Sequence, residues 1–266
     1  MFPDRLVFMD ENCVQNLSTY DYFFCISEFT KLYTMRYWSE CVKGKVVEML
    51  IPPISEKHLN STTKFEDKEK LILNVGRFCV AGHNKNQLEA INSFKQLVDD
   101  GILDSSWKLE ICGQYNDVAD TVVYLKRCKE AAHGYNIDIQ TNVPFNSLCN
   151  SYRRASVLWQ FTGFGTPFGV KPEKCEHLGL VALDALAYGT IPVMFARSGA
   201  SFVIDSGVDG FVFSDYAELK SIMAFIDKCY TTDFHLSFFE KAKAKAGAVS
   251  YKNFQENLMN ILKERL

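Results

Sequence analysis

Short apolar runs rich in β-branched and aromatic residues alternate along this chain with longer stretches in which apolar side chains recur every three or four positions. The first pattern predicts strands at 22–26, 45–50, 71–75, 108–112, 137–141, 157–161, 191–195 and 210–213. The second predicts amphipathic helices between them. One covers 86–97, with Ile91, Phe94 and Val98 on one face, and another covers 217–229, with Leu219, Ile222, Met223 and Ile226 aligned. Strands alternating with helices are the signature of βαβ units, so the pattern predicts an α/β fold with a doubly wound, Rossmann-like parallel sheet.

One boundary interrupts the alternation. Ile51-Pro52-Pro53-Ile54 continues neither a helix nor a central strand, and residues 55–70 are polar and highly charged, which reads as a linker. Downstream, 55–266 holds six of the strands, enough for a complete domain. Upstream, 1–54 has room for two strands and one helix, too little for a domain, so it reads as the end of a truncated unit or as a segment that packs on the larger one. The last stretch, 250–266, begins with a capping serine and carries Phe254, Leu258, Ile261 and Leu262 on one face. It reads as a helix that packs on 1–54 or leaves an apolar stripe for self-association.

Composition narrows the function classes. With 266 residues, 47% of them hydrophobic, the chain has enough apolar material for a substantial core. A net charge of -3 and the lack of any long basic run argue against nucleic-acid binding. The nine cysteines form no C-x-x-C pair and are odd in number, which reads as reduced thiols in a cytosolic protein rather than as a disulfide framework or zinc site. The five histidines have no metal-ligand spacing and read as surface or hydrogen-bonded structural residues. Asp4, Arg5, Asp10 and Glu11 break up any secretory leader, and no apolar run reaches membrane-spanning length.

The chemistry concentrates in two places. In the stretch from Cys175 to Val193, Gly179 precedes a helix whose first amides would point outward as anion donors, while Glu176 and Asp184 flank that N-terminus about two turns apart. Such a layout suits a phosphate with two hydroxyl-bearing groups beside it. The same residues would serve equally well as an acidic cap and a solvated helix face. The second place is Asn74-Val75-Gly76-Arg77-Phe78, followed by Gly82-His83-Asn84-Lys85, where a strand end, a glycine turn and two cations could receive a diphosphate, or where Arg77 and Lys85 are plain surface charges. Neither the dinucleotide fingerprint nor the Walker A spacing is present.

Gly76-Arg77-Phe78 with Lys85, Leu109-Glu110-Ile111-Cys112-Gly113, Asn142-Val143-Pro144, Gly163-Phe164-Gly165, Glu176-His177-Leu178-Gly179-Leu180 and Gly189-Thr190-Ile191-Pro192-Val193 follow one another in an order that resembles the retaining glycosyltransferases of family 4. The resemblance runs from about Tyr20 to Phe213. It implies the GT-B architecture, with 55–266 as the donor-binding domain and 1–54 as a remnant of the N-terminal domain. It further implies that Arg77 and Lys85 neutralise the donor diphosphate, that Glu176 bonds the donor sugar, and that Gly76 and the Gly179 and Leu180 amides meet the phosphates. Asp184 would hold the ribose in the place where the family usually has Glu, and the Val143-Pro144 loop would contact the base. No Asp-x-Asp pair is present, so the implied cofactor list is empty; the nucleoside-diphosphate sugar is a substrate. Polysaccharide biosynthesis in the cytoplasm or at the membrane periphery is the setting it implies.

Two departures stand out. The family's Gly-Gly-x-x-Glu element is replaced by Ser198-Gly199-Ala200-Ser201-Phe202, and its aromatic-histidine pair by Trp159-Gln160. The acceptor-binding half has no counterpart in 1–54. Three functions follow: a hexosyltransferase, or its donor-binding portion, acting on a glycan or lipid-linked acceptor; a non-catalytic nucleotide-sugar module that a partner chain or self-association completes; and a GT-B-type epimerase, for which no motif places a base.

Overall fold

The computed structural model describes residues 3, 5, 9–80, 83–167, 169–196, 198–199 and 203–263. It contains two parallel sheets, one of two strands and one of six. In the smaller, β1 (Tyr22–Cys25) lies beside β2 (Val46–Met49), Tyr22 opposite Val46. Around them lie α1 (Glu11–Ser18), α2 (Glu28–Tyr37) and α3 (Ser39–Val42), two helices more than the sequence pattern indicated. The additional α1 buries no residue fully, has only Val14 and Leu17 half-buried on one face, and starts with the Asp10 carboxylate accepting from Cys13 N. In α2, Ser27 and Thr30 form a reciprocal capping box.

The expected polar linker is instead packed structure. It holds α4 (Glu56–Leu59) and a 3₁₀ turn at Phe65–Asp67, and it buries His58, Thr63 and Lys68. Lys68 donates from Nζ to the carbonyls of Tyr152 and Ala155 and to Thr190 Oγ1, at 3.2, 2.8 and 2.8 Å. Burial pulls this ammonium well below its ordinary pKa. Its acceptors lie at the carbonyl end of a helix, where a cation complements the peptide dipoles. A charged sequence read as solvated is therefore held inside by partners far away in the chain.

The larger sheet runs β3 (Glu69–Val75), β4 (Lys108–Gly113), β5 (Ile137–Thr141), β6 (Ala155–Gln160), β7 (Ile191–Phe195) and β8 (Phe211–Phe213), in the spatial order β5-β4-β3-β6-β7-β8. Every predicted strand is present to within a residue or two. Side chains alternate between the faces as the pleat demands. Ile72, Val157, Trp159, Ile191 and Val193 pack against α5 (Gln87–Asp99), α6 (Ala119–Ala132) and α9 (Tyr216–Cys229). Leu71, Leu73, Leu158 and Met194 pack against α7 (Phe145–Arg154), α8 (Leu180–Ala187) and α10 (Asp233–Ala248). This is the doubly wound arrangement, and the strand order reverses between β3 and β6, which opens a crevice beyond their carboxyl ends. The last helix, α11 (Tyr251–Lys263), starts with Ser250 Oγ accepting from Asn253 N, and its apolar face is only half-buried.

Gly189 closes α8. Its φ is +68°, its N–H donates to Leu186 O and the Thr190 N–H reaches Ala185 O, the bonding of a Schellman cap. A Cβ there would stand 2.2 Å from Phe239 Cδ2 of α10. Gly189→Ala therefore meets left-handed strain and overpacking together, and it is expected to lower the unfolding free energy by about 2–4 kcal/mol. Urea denaturation monitored by circular dichroism checks this; an unchanged midpoint would refute it.

Candidate functional site

The crevice at the strand-order reversal receives the loops that follow β3 and β6. After β3 the chain turns through Gly76, whose N–H bonds to Cys112 O, and Gln87 Nε2 pins both the Gly76 and Arg77 carbonyls at 3.0 Å. A Cβ on Gly76 would lie 2.6 Å from Lys85 Cγ, so the glycine leaves room for the Lys85 stem to pass. Asn86, left-handed at φ +53°, donates from its side chain to Phe161 O and so ties this loop to the end of β6. Lys85 thereby extends into the crevice rather than onto the open surface. Gly82 lies outside the described residues.

There Lys85 Nζ meets Glu176 Oε2 at 2.6 Å, and Gln160 Nε2 donates to the same oxygen at 3.0 Å. The other oxygen of Glu176 accepts from the backbone amides of His177 and Gly179 at 3.1 and 3.3 Å. Burial pushes this carboxyl up, but Lys85, His83 and His177 outweigh it, and Glu176 lies below its ordinary value. Glu176 is thus both the acidic cap and a member of the charged site, two readings that the sequence had left as alternatives. The Gly179 amide, expected to face outward, donates to Glu176 Oε1, and the left-handed φ of +85° at this residue starts α8. The amides of Leu180 and Val181 stand next, ahead of the first closed turn of α8, and Leu180 is exposed.

Three rings stack beneath this pair. His83 lies 4.6 Å from His177, and Phe29 of α2 lies 6.5 Å from His177 on a near-parallel plane. His83 Nε2 is 2.5 Å from Cys175 O, and Ser27 Oγ donates to His177 O at 2.5 Å. Burial drives the His177 imidazole down to about 4 and lowers His83, with neighbouring Lys85 adding to the effect. Both rings are therefore neutral at pH 7.

Arg77 is exposed and forms no ion pair among the described residues. It lies on the boundary of two cavities. One, of about 350 Å³, is lined by Val75, Gly76, Cys112, Val143, Phe145 and Leu148 among others and is mostly apolar. The other, of about 470 Å³, is bordered by Gln114, Tyr115, Asn116, Asp120 and Asn142. Gly76, Arg77 and Val143 thus meet in one cavity. Pro144 does not line it and instead sits at the N-cap of α7.

Asp184 is neither on a solvated face nor beside Glu176. It lies on α8 with Oδ1 3.7 Å from His58 Nε2, largely buried, and burial alone raises its carboxyl to about 6. The His58 ring lies 5.3 Å from that of Phe145, which walls the smaller cavity. Gln160 and His58 were passed over as site residues in the sequence. Gln160 was visible only as a departure from a family dipeptide, and His58 sat in a stretch read as linker. Ala200, Ser201 and Phe202 lie outside the described residues. Among the described residues no group of three His, Cys, Asp or Glu side chains is set to hold a metal ion, and no helix is long and apolar enough to cross a membrane.

Raising Asp184 above its ordinary 3.8 means that the fold favours the protonated form. The stability this confers is complete below pH 3.8 and is lost as pH rises through about 6, where ionisation of a buried carboxyl destabilises the fold. Asp184→Asn is therefore expected to match the wild type near pH 4 and to exceed it at pH 7–8, by ~3 kcal/mol at most. Thermal unfolding across that range checks the sign; a variant less stable at pH 8 would contradict it.

The model for glycosyl transferases group 1 matches residues 56–244. Among solved structures, a glycosyltransferase from Rickettsia africae ESF-5 superposes with a TM-score of 0.73 at 14% identity, covering 96% of this chain and 67% of that one. Sucrose-phosphate synthase from Thermosynechococcus elongatus gives 0.73 at 16%, covering 98% and 63%. The GtfA/B complex gives 0.62 at 16%, covering 96% of this chain and 47% of the matched one. The chain thus spans between about half and two thirds of the length of these structures, and at such identities they speak for the fold alone. No curated protein matches the sequence significantly. With the matched stretch taking in both the β3 loop and the α8 entry, the chain belongs to the glycosyl transferases group 1 family, glycosyltransferases of GT-B fold.

Proposed function

We propose that this chain carries the donor site of a retaining hexosyltransferase, binding a nucleoside-diphosphate sugar in the crevice between β3 and β6. The observation that carries the reading is the buried Lys85–Glu176 pair, held on every side at the strand-order reversal, with Gly76 and Arg77 of the same loop lining a cavity. In this reading the base enters the smaller cavity against Val143 and Phe145, with the Val143-Pro144 backbone beside it. The ribose hydroxyls reach Asp184. The diphosphate meets Arg77, Lys85 and the Leu180 amide near Gly76 and Gly179, and Glu176 accepts hydrogen bonds from the sugar hydroxyls.

The chemistry follows from charge. Breaking the glycosidic bond leaves negative charge on the diphosphate, and fixed cations in a partly dry crevice stabilise that charge more than the ground state. Arg77 and Lys85 perform the task that a divalent ion performs elsewhere. Retention of configuration belongs to the family resemblance and carries over with it.

The division into a donor domain at 55–266 and an N-terminal remnant at 1–54 belongs to the same proposal. Among the described residues, both cavities are bordered by positions between 75 and 148, so no described residue of 1–54 contributes a wall to them. This favours a second reading in which the chain is a donor-binding module completed by a partner, and the match to a structure of the GtfA/B complex supports it. Glycan or lipid-linked acceptors at the membrane periphery suit either reading.

Calorimetric titration with UDP-, GDP- and ADP-hexoses tests the proposal. One nucleotide class is expected to bind. Arg77→Ala, which removes an exposed and unpaired side chain, should weaken that binding about tenfold or more while leaving stability within ~0.5 kcal/mol. Glu176→Ala should weaken the nucleotide sugar more than the bare nucleoside diphosphate. Absence of binding to all three, or an Arg77→Ala variant with wild-type affinity, would reject the donor site.

A further inference from the structure

His58 is a buried histidine with no part in the reading above. It comes from α4, in the connection between the two sheets, and is enclosed by the rings of Phe145, Tyr152 and Tyr188 at centroid distances of 5.3, 5.9 and 5.6 Å. Its Nδ1 lies 3.0 Å from the Tyr188 hydroxyl, and its Nε2 faces Asp184 Oδ1 at 3.7 Å. Core packing alone would not ask for an imidazole here. A phenylalanine would fill the same aromatic box without the cost of burying two polar nitrogens.

The two contacts of the ring fix its tautomer. Were Nδ1 to carry the proton, Nε2 would aim a lone pair at the Asp184 carboxylate, which is repulsive. With Tyr188 donating its hydroxyl proton to Nδ1, the Nε2–H faces the carboxylate instead. The groups about Asp184 are then His58 from α4, Tyr188 from α8, and Tyr152 and Cys149 from α7. Of these only His58 presents an N–H to the carboxylate. Burial keeps His58 neutral by lowering its pKa, so the contact does not depend on imidazole charge. At 3.7 Å it is longer than a hydrogen bond and acts as an electrostatic guide that orients one carboxylate oxygen.

We propose that His58 is a positioning residue of the donor site, whose Nε2–H, set by Tyr188, turns the Asp184 carboxylate so that its other oxygen receives the ribose hydroxyls. The proposal rests on the assignment of Asp184 to the ribose. It also gives the connecting segment a reason to be structured: α4 carries the group that orients a ligand-binding carboxylate on α8. Because Asp is one methylene shorter than Glu, its reach is limited and its orientation matters correspondingly more.

The test is titration of UDP, GDP and ADP, together with the 2′,3′-dideoxy analogue of whichever binds, against wild type, His58→Phe, His58→Gln, Tyr188→Phe and Asp184→Asn. His58→Phe is expected to weaken the ribonucleotide by about three- to tenfold and to leave the dideoxy analogue unchanged. His58→Gln, which keeps an N–H near the place of Nε2, should return to within about twofold of wild type, with Tyr188→Phe in between. Wild-type affinity in His58→Phe overturns the proposal, as does an equal loss for both ligands, which would mark a structural prop; should His58→Phe fail to fold, the same comparison in Tyr188→Phe decides. If Asp184→Asn keeps the wild-type preference for ribose, or if no nucleotide binds, the underlying assignment falls and the proposal with it. A preference lost in Asp184→Asn but intact in His58→Phe overturns the role of His58 alone.

Discussion

The Lys85–Glu176 ion pair has been taken largely out of water, and the surrounding structure can be understood as the set of contacts that makes this tolerable. Desolvating two charges costs several kcal/mol for each ion, and their attraction offsets that only if the remaining polar capacity is also met. Here it is met from four directions. Gln160 comes from the end of β6, the His177 and Gly179 amides from the α8 entry, His83 from the β3 loop, and Ser27 from α2 holds the His177 carbonyl. The pair therefore couples residues 91 positions apart in sequence, and the Ser27 contact beside it spans 150. It also explains why one face of α2 is buried against the larger sheet's loops: Phe29 and Tyr33 cover Cys175, immediately before the carboxylate.

Two other buried polar groups show different balances. Lys68 is satisfied by two carbonyls and a hydroxyl at the end of α7, an arrangement that binds nothing and joins β3, α7 and β7. Asp184 is not satisfied to the same degree: burial raises its carboxyl, and the nearest cationic candidate, His58, is kept neutral by its own burial. A structural role would be served as well or better by an amide. A carboxylate held at a loss of stability, behind the His58 and Phe145 rings that back a cavity, is the pattern expected where ligand binding rather than folding sets the residue.

Legibility in the sequence followed the range of the interactions. Strands such as 71–75 and 191–195 could be read because their burial on both faces makes them continuous apolar runs, and 86–97 because its face repeats every turn. Gly76, Arg77 and Val143 are grouped by motif order, and they line one cavity. What escaped depends on contacts across the chain. The 55–70 stretch looked solvated because nothing local shows that Lys68 will meet Tyr152 or that His58 will meet Asp184. The Gly179 amide was assigned outward because its bond to Glu176 is a backbone fact that residue types do not encode. Helix α1 offers only Val14 and Leu17, both half-buried, as an apolar face, too short a period to read.

The electrostatic state of the crevice decides what it can accept. His83 and His177 are neutral at pH 7, and Lys85 and Glu176 cancel, so among the described residues Arg77 is the unbalanced charge at the site. A crevice with one net positive charge and the Leu180 and Val181 amides attracts an anion without holding it irreversibly. In the proposed donor site a diphosphate would give Lys85 a second acceptor, while Glu176 keeps Gln160 and two amides and is not left uncompensated. A carboxylate supported by Lys85 alone could not release it, because an unpartnered buried charge costs more than the ligand contact returns. In the proposed donor site, the Gln160 side chain and the Gly179 amide, which bond Glu176 alongside Lys85, are what would free the lysine to follow charge onto the leaving diphosphate.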